Sequence, residues 1–102
     1  MSQFDVFRNP SSAPYPLLVD IQADIHSKLT TRIVVPLMAL TRFAGQPLTR
    51  LTPVVTVRGE DYVTMFPSLV AVPKTSLRDI VGSLAAQRAM LIAALDLLIT
   101  GS

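Results

Sequence analysis

The chain has 102 residues, enough for one domain with a modest core, and small domains of this size commonly add stability by dimerising. Half of its residues are hydrophobic and 16% are charged, against about 25% in an average globular domain, so a homodimer or an obligate complex is expected to cover the surplus apolar surface. The formal charge of +2 is spread over scattered arginines, without the basic cluster of a nucleic-acid binder; zero cysteines and one histidine exclude a disulfide framework and a Cys- or multi-His metal site.

Met1-Ser2-Gln3-Phe4-Asp5 lacks the basic-then-apolar pattern of a secretory leader, so a cytoplasmic protein is expected. Phe4 and Val6 alternate around Asp5 in a short first strand that continues to Phe7. Asn9-Pro10-Ser11-Ser12-Ala13-Pro14 is turn chemistry, with two prolines that lack donors and side chains suited to local hydrogen bonds. Tyr15–Gln22 alternates again: Leu17, Val19 and Ile21 fall on one face and Leu18, Asp20 and Gln22 on the other. The pattern predicts a half-buried strand, hairpin-paired with the first.

Ser27–Thr31 is a polar connection to a strand at Thr31–Leu37. Pro36 has no amide proton for a ladder and marks an edge, a bulge or the strand end. Gly45-Gln46-Pro47 signals a loop, and the run from Pro53 to Phe66 around Gly59 is the clearest hairpin. Leu69–Val72 reads as one more short strand, closed by Pro73. From there the chain is read as helical. Ser76 and Asp79 have the spacing of a capping box for a short turn broken by Gly82, and Ser83 can cap a long helix over Leu84–Ile99. Leu84, Arg88, Leu91, Leu95 and Leu98 form its stripe, widened by Ile92 and Ile99, and Gly101 suits its C-terminal cap. Ala89–Ile99 is apolar except for Asp96, but about 20 such residues are needed to cross a bilayer, so no membrane span is expected. Strands first and one helix last give an α+β chain with a curved antiparallel sheet.

Chemistry-bearing groupings are few. There is no phosphate-cradling glycine loop and no nucleophile elbow. Asp20 and Asp24 could coordinate a cation or orient a base, or be solvated strand charges; hydrogen bonding to a loop is the specific use that suits Asp20. Arg32 could hold a phosphate or carboxylate in bidentate fashion, or pair with Asp20 or Asp24. His26 could act as a base, but lacks an evident nucleophile beside it and fits a surface or contact role. The methionines at 1, 38, 65 and 90 read as core filler. No cofactor and no metal is expected. The helix terminus either frays or inserts its small residues into a groove of another protein.

Leu17-Leu18-Val19-Asp20-Ile21-Gln22 followed by Arg32-Ile33-Val34-Val35-Pro36-Leu37, Pro53-Val54-Val55 before the hairpin, Ala71-Val72-Pro73 and the terminal helix together resemble the CcdB family of toxins from type II toxin–antitoxin modules. The resemblance covers nearly the whole chain. It implies an SH3-like barrel with a long C-terminal helix, a symmetric homodimer, a CcdA-like antitoxin that is disordered until bound, and a role in plasmid maintenance. It implies a non-catalytic poison that binds the DNA gyrase A subunit and traps cleaved DNA, without direct nucleic-acid binding.

By the same resemblance the target-binding positions are Ile25, His26, Asp96, Ile99, Thr100, Gly101 and Ser102. They depart from the family pattern. Thr100-Gly101-Ser102 replaces Trp-Gly-Ile, Ile25-His26 replaces an Ile-Ile pair, Asp96 replaces an asparagine and Ile99 an aromatic. A tryptophan lost from the centre of an interface costs at least about 2 kcal/mol, over tenfold in affinity. Asn9, Ser11, Ser12, Arg42 and Gln46 fall in the loops that match the antitoxin-facing regions by position. Two alternatives remain open: a ribonuclease toxin of the MazF and Kid type, and a non-poisoning relative that binds only antitoxin.

Overall fold

The computed structural model describes residues 2–11, 14–26 and 28–101, and of His26 the backbone alone. The expectations placed on Met1, Ser12, Ser102 and the His26 side chain lie outside the described residues.

Seven strands among the described residues form one antiparallel sheet: β1 (Asp5–Arg8), β2 (Leu17–Asp20), β3 (Thr31–Ala39), β4 (Val54–Val57), β5 (Glu60–Thr64), β6 (Val70–Pro73) and β7 (Ile80–Ser83). Their order is β4-β5-β3-β2-β1-β7, with β6 also pairing to β3. The sheet curls until its two outer strands approach each other, and Arg58 Nε donates to the Val81 carbonyl across the gap at 2.8 Å. The result is a half-barrel with one helix, α1 (Arg88–Thr100), at its C-terminal end. The α+β reading is borne out.

Local chemistry explains the hairpin. Val55 and Val57 point inward and Val54 and Thr56 outward, and Arg58 and Gly59 connect the strands with φ of +52° and +80°. Two central residues at positive φ give a turn whose twist matches the flanking strands. The proline in β3 has a different explanation from those expected. Pro36 lies inside the strand, opposite Leu18. On its other side β3 pairs with β6 over 31–34 and with β5 over 37–39. The Pro36 carbonyl accepts from Met65 N–H on that side, and a strand residue directs its N and O the same way. Its missing donor therefore falls where β6 gives way to β5, and no ladder bond is lost.

Two expectations are corrected. The β2 strand is buried on both faces, not one. Val6, Val19, Val35, Leu37, Phe66, Leu91 and Ala94 belong to the main core, while Phe7, Leu18, Val34 and Leu77 form a second, smaller cluster with Val72 against it. The segment from β6 to Leu77 folds over the reverse face of β2, and so the even-numbered residues are covered too. Residues 80–83 are a strand, not part of a helical run: Asp5, Val6 and Phe7 pair with Ser83, Gly82 and Ile80. The Ser76 hydroxyl donates to the Pro73 carbonyl rather than capping a helix.

The helix starts later than the periodicity suggests. Ala85–Gln87 is a 3₁₀ turn, with Ser83 Oγ accepting from Ala85 N–H at 3.2 Å, and the α-helix begins at Arg88. Its buried stripe is narrow, Leu91 and Ala94, with Leu84 ahead of it and Met90, Ile92, Leu95 and Leu98 packed at the margin. Arg88 is not in that stripe; its guanidinium sits 5.6 Å from the centroid of the Phe4 ring. Gly101 ends the helix at φ +79°, its N–H bonded to the Leu97 carbonyl, as expected of a C-terminal cap. Met38, Met65 and Met90 are half-buried at the margins of the core, not inside it.

Candidate functional site

At the end of the sheet where β2 passes to β3, an ion pair is buried on the face of the sheet that carries Leu18 and Val34. Asp20 stands opposite Val34, which puts Arg32 on the neighbouring diagonal of the same covered face, within reach of a long side chain. Arg32 Nε donates to Asp20 Oδ2 at 2.9 Å and Nη2 lies 2.7 Å from the same oxygen. Asp20 is 0% and Arg32 1% exposed. Burial pushes the Asp20 carboxyl above the ordinary aspartate value of 3.8, against Arg32 and the Gln22 N–H, which both draw it down. The pairing with Asp20 bears out one of the two readings of Arg32 and removes the other, because a guanidinium so enclosed is not available to a phosphate. The solvated-charge reading of Asp20 is likewise corrected.

The pair organises the turn that follows. Asp20 Oδ1 accepts from Gln22 N–H at 3.0 Å, Arg32 Nη2 donates to the Gln22 carbonyl at 3.0 Å, and Gln22 Oε1 accepts from Ile33 N–H at 2.9 Å. Arg32 also reaches Asp24 Oδ1 at 3.5 Å, and Gln3 N–H donates to that oxygen at 2.9 Å. Gln3 extends the network to the helix: its Nε2 donates to the Ile21 carbonyl and its Oε1 accepts from Arg88 at 2.9 Å. Asp24–His26 is a 3₁₀ turn held by these contacts, and Ile25 projects from it 87% exposed.

Asp96, Ile99, Thr100 and Gly101 share the last turns of α1. Asp96 is exposed, Ile99 is 68% exposed, and Thr100 Oγ1 donates to the Asp96 carbonyl at 2.7 Å. The helix end is thus capped at Gly101. Ile25 belongs to a separate element, joined to the start of α1 through Gln3 and Arg88.

The loops at the opposite end of the sheet are built differently. Asn9 Nδ2 donates to the Tyr15 carbonyl at 2.7 Å and its Oδ1 accepts from Ser11 N–H at 3.0 Å. Arg42 ends the 3₁₀ turn Leu40–Arg42. It lines a cleft of about 600 Å³ with Pro14, Pro16, Met38, Glu60 and Tyr62. The Tyr62 phenol is raised above its usual value of 10.0 by burial and then by Glu60, with Arg8 opposing. Gln46 is exposed in the following loop and does not line this cleft. Sequence reasoning missed Tyr62 here, because it comes beside Arg42 only through the pairing of β5 with β3.

The model of the CcdB protein family matches residues 3–101, nearly the whole chain. The chain belongs to the CcdB family. A CcdB-family chain is the toxin of a toxin–antitoxin system. Both ends of the sheet and the helix through Gly101 lie inside the matched span of this CcdB-family toxin. The comparison with curated proteins gives no match. Among the described residues no group of three His, Cys, Asp or Glu could hold a metal ion, and no helix is long and apolar enough to cross a membrane.

Proposed function

We propose that this toxin acts by binding a protein target, the DNA gyrase A subunit, and trapping its complex with cleaved DNA, as a homodimer neutralised by a CcdA-like antitoxin in the cytoplasm. The toxin itself catalyses nothing in this reading. The observation that carries it is the exposed Ile25 on a turn fixed by the buried Asp20–Arg32 pair. A side chain held in place loses little freedom on binding, so its apolar area converts efficiently into affinity. Ile99 and the capped helix end supply a second apolar contact. His26 and Ser102 are assigned to the same proposed surface, as the resemblance to the family implies. Arg32, the arginine on which an RNA-cleaving reading would rest, is enclosed and committed to Asp20.

The test is an incubation of the purified protein with gyrase and supercoiled DNA, followed by assay of trapped cleavage complexes. Trapping that falls in Ile25→Ser and Ile99→Ser supports the reading. Absence of trapping by folded, dimeric protein overturns it. Growth arrest on overexpression without trapping would point to another protein target, and normal growth to a relative that binds only antitoxin.

A further inference from the structure

The half-barrel closes along one seam, where β4 and β7 come together as the two outer strands of the sheet. No ladder joins them among the described residues. Two contacts bridge the gap instead. A Cβ at Gly82 would lie 3.6 Å from Val57 Cγ1, so the β7 backbone passes directly over that valine. Beside it, Arg58 Nε donates to the Val81 carbonyl at 2.8 Å, a bond between residues 23 positions apart.

Both partners in that bond are irregular. Val6 pairs with Gly82 and Phe7 with Ile80, so Val81 is the extra residue of a β-bulge and stands opposite no residue of β1. Its side chain is buried, and its carbonyl accepts from Arg58. Arg58 in turn holds a backbone conformation that does not suit it. It takes φ +52° at the first of two turn positions, where Asn, Asp or Gly is the usual residue. Its guanidinium makes no ion pair among the described residues. What the arginine adds at this point is reach, and a charged N–H donor at the end of it. A broken local preference calls for a compensating interaction, and the bond across the seam supplies one.

We propose that Arg58 is the latch of the half-barrel: its bond to the Val81 carbonyl holds the β4–β5 hairpin against β7, and without it the sheet opens along this seam while its ladders stay paired. Every other pair of neighbouring strands is joined over three or four residues. The seam is therefore the weakest joint of the curled sheet, and sub-global opening starts there. Such opening uncovers Val57 and Val81, which are 6% and 8% exposed when it is closed. It also loosens the root of α1, because Leu84, the residue after β7, is packed in the same core as Val57 and Val81. The latch depends on the seam alone and not on the proposed target.

The chain has no cysteine, so one introduced thiol reports opening at one place. Val57→Cys lies at the seam, and Val35→Cys lies on β3 at a position 0% exposed. Each is labelled with a maleimide under native conditions, with Arg58 intact and with Arg58→Gly. Glycine removes the latch but relaxes the positive φ, so a purely local role for Arg58 gives equal or slower labelling at both positions. The latch gives labelling of Val57→Cys at least about tenfold faster in the Arg58→Gly background, with Val35→Cys within about twofold. Equal labelling of Val57→Cys in the two backgrounds, or an equal rise at both positions, overturns the proposal. A second measurement needs no introduced thiol. By NMR of the wild type, the Arg58 Nε–H should exchange with solvent at least about tenfold more slowly than that of Arg50, and a Val57 methyl should show an NOE to Gly82 Hα that weakens in Arg58→Gly. An Arg58 Nε–H that exchanges as fast as that of Arg50, or an NOE unchanged in the variant, overturns the latch even if the thiol variants fail to fold.

Discussion

The two ends of the sheet solve opposite problems with the same few residue types. Where β2 turns into β3, Arg32 is enclosed and paired, and its hydrogen bonds run through Asp20, Gln22 and Asp24 into the backbone that presents Ile25. Where β1, β3, β5 and β7 meet their loops at the other end, Arg8, Arg42 and Arg78 stand exposed along proline walls, with no Asp or Glu partner among the described residues. The first arrangement spends its polar groups internally and leaves an apolar side chain outside. The second spends prolines on the backbone and leaves charges outside. Arg32 is thus a structural strut enclosed with its partner, while Arg8, Arg42 and Arg78 stay open to solvent.

The comparison can be broken most forcefully at the strut. Arg32→Met leaves the Asp20 carboxylate buried without its cation and should cost about 3–5 kcal/mol at neutral pH by urea denaturation. Because burial already raises Asp20 and Arg32 opposes that rise, the variant's Asp20 should titrate higher than in wild type. The folded form then holds a proton that the unfolded form has released between the unfolded value and the raised one. Stability of the variant falls as pH rises through that window, so its deficit should be smallest near the ordinary aspartate value of 3.8 and largest above the raised one. A deficit independent of pH would show that the loss is one of packing alone.

Gln22→Ala comes next. It leaves the Ile33 N–H without its acceptor and should cost about 1–3 kcal/mol, with faster hydrogen exchange at Ile33. At the other end Asn9→Ala removes two hydrogen bonds of a more open loop, where water can replace them; about 1 kcal/mol is expected in the same denaturation assay. An Asn9→Ala loss larger than that of Gln22→Ala would reverse the ranking of the two ends. The smallest stability effect belongs to Ile25→Ser, within about 0.5 kcal/mol, since the side chain is exposed. Its effect on target affinity should nonetheless exceed about tenfold, measured by calorimetry against the gyrase A subunit.

How much of this was legible follows from how far apart the cooperating residues lie. The β4–β5 hairpin needs only alternation and a two-residue turn, and both are visible in the sequence. The Asp20–Arg32 pairing was legible as chemistry, but its burial was not, since β2 alternates in sequence yet is buried on both faces. The β7 strand escaped because four residues including Gly82 carry almost no period, and Ser76 with Asp79 imitates a helix cap just ahead of it. Its partner β1 lies some seventy positions earlier. The three exposed arginines of the loop end were illegible as a group for the same reason: they come from β1, the turn after β3 and the turn before β7.

The pairing of β1 with β7 also sets an order of events during synthesis. The first strand can form its hairpin with β2 early, but its other edge stays open until Ile80–Ser83 has been made, and the main core stays uncovered until Leu91 and Ala94 follow. Pairings so distant in sequence close slowly and late. A ribosome partway through this message therefore carries a chain with an unpaired edge and no finished core, and the folded protein appears only when the last turns of α1 have emerged. For a toxin, that timing couples harm to the synthesis of the helix that closes its core.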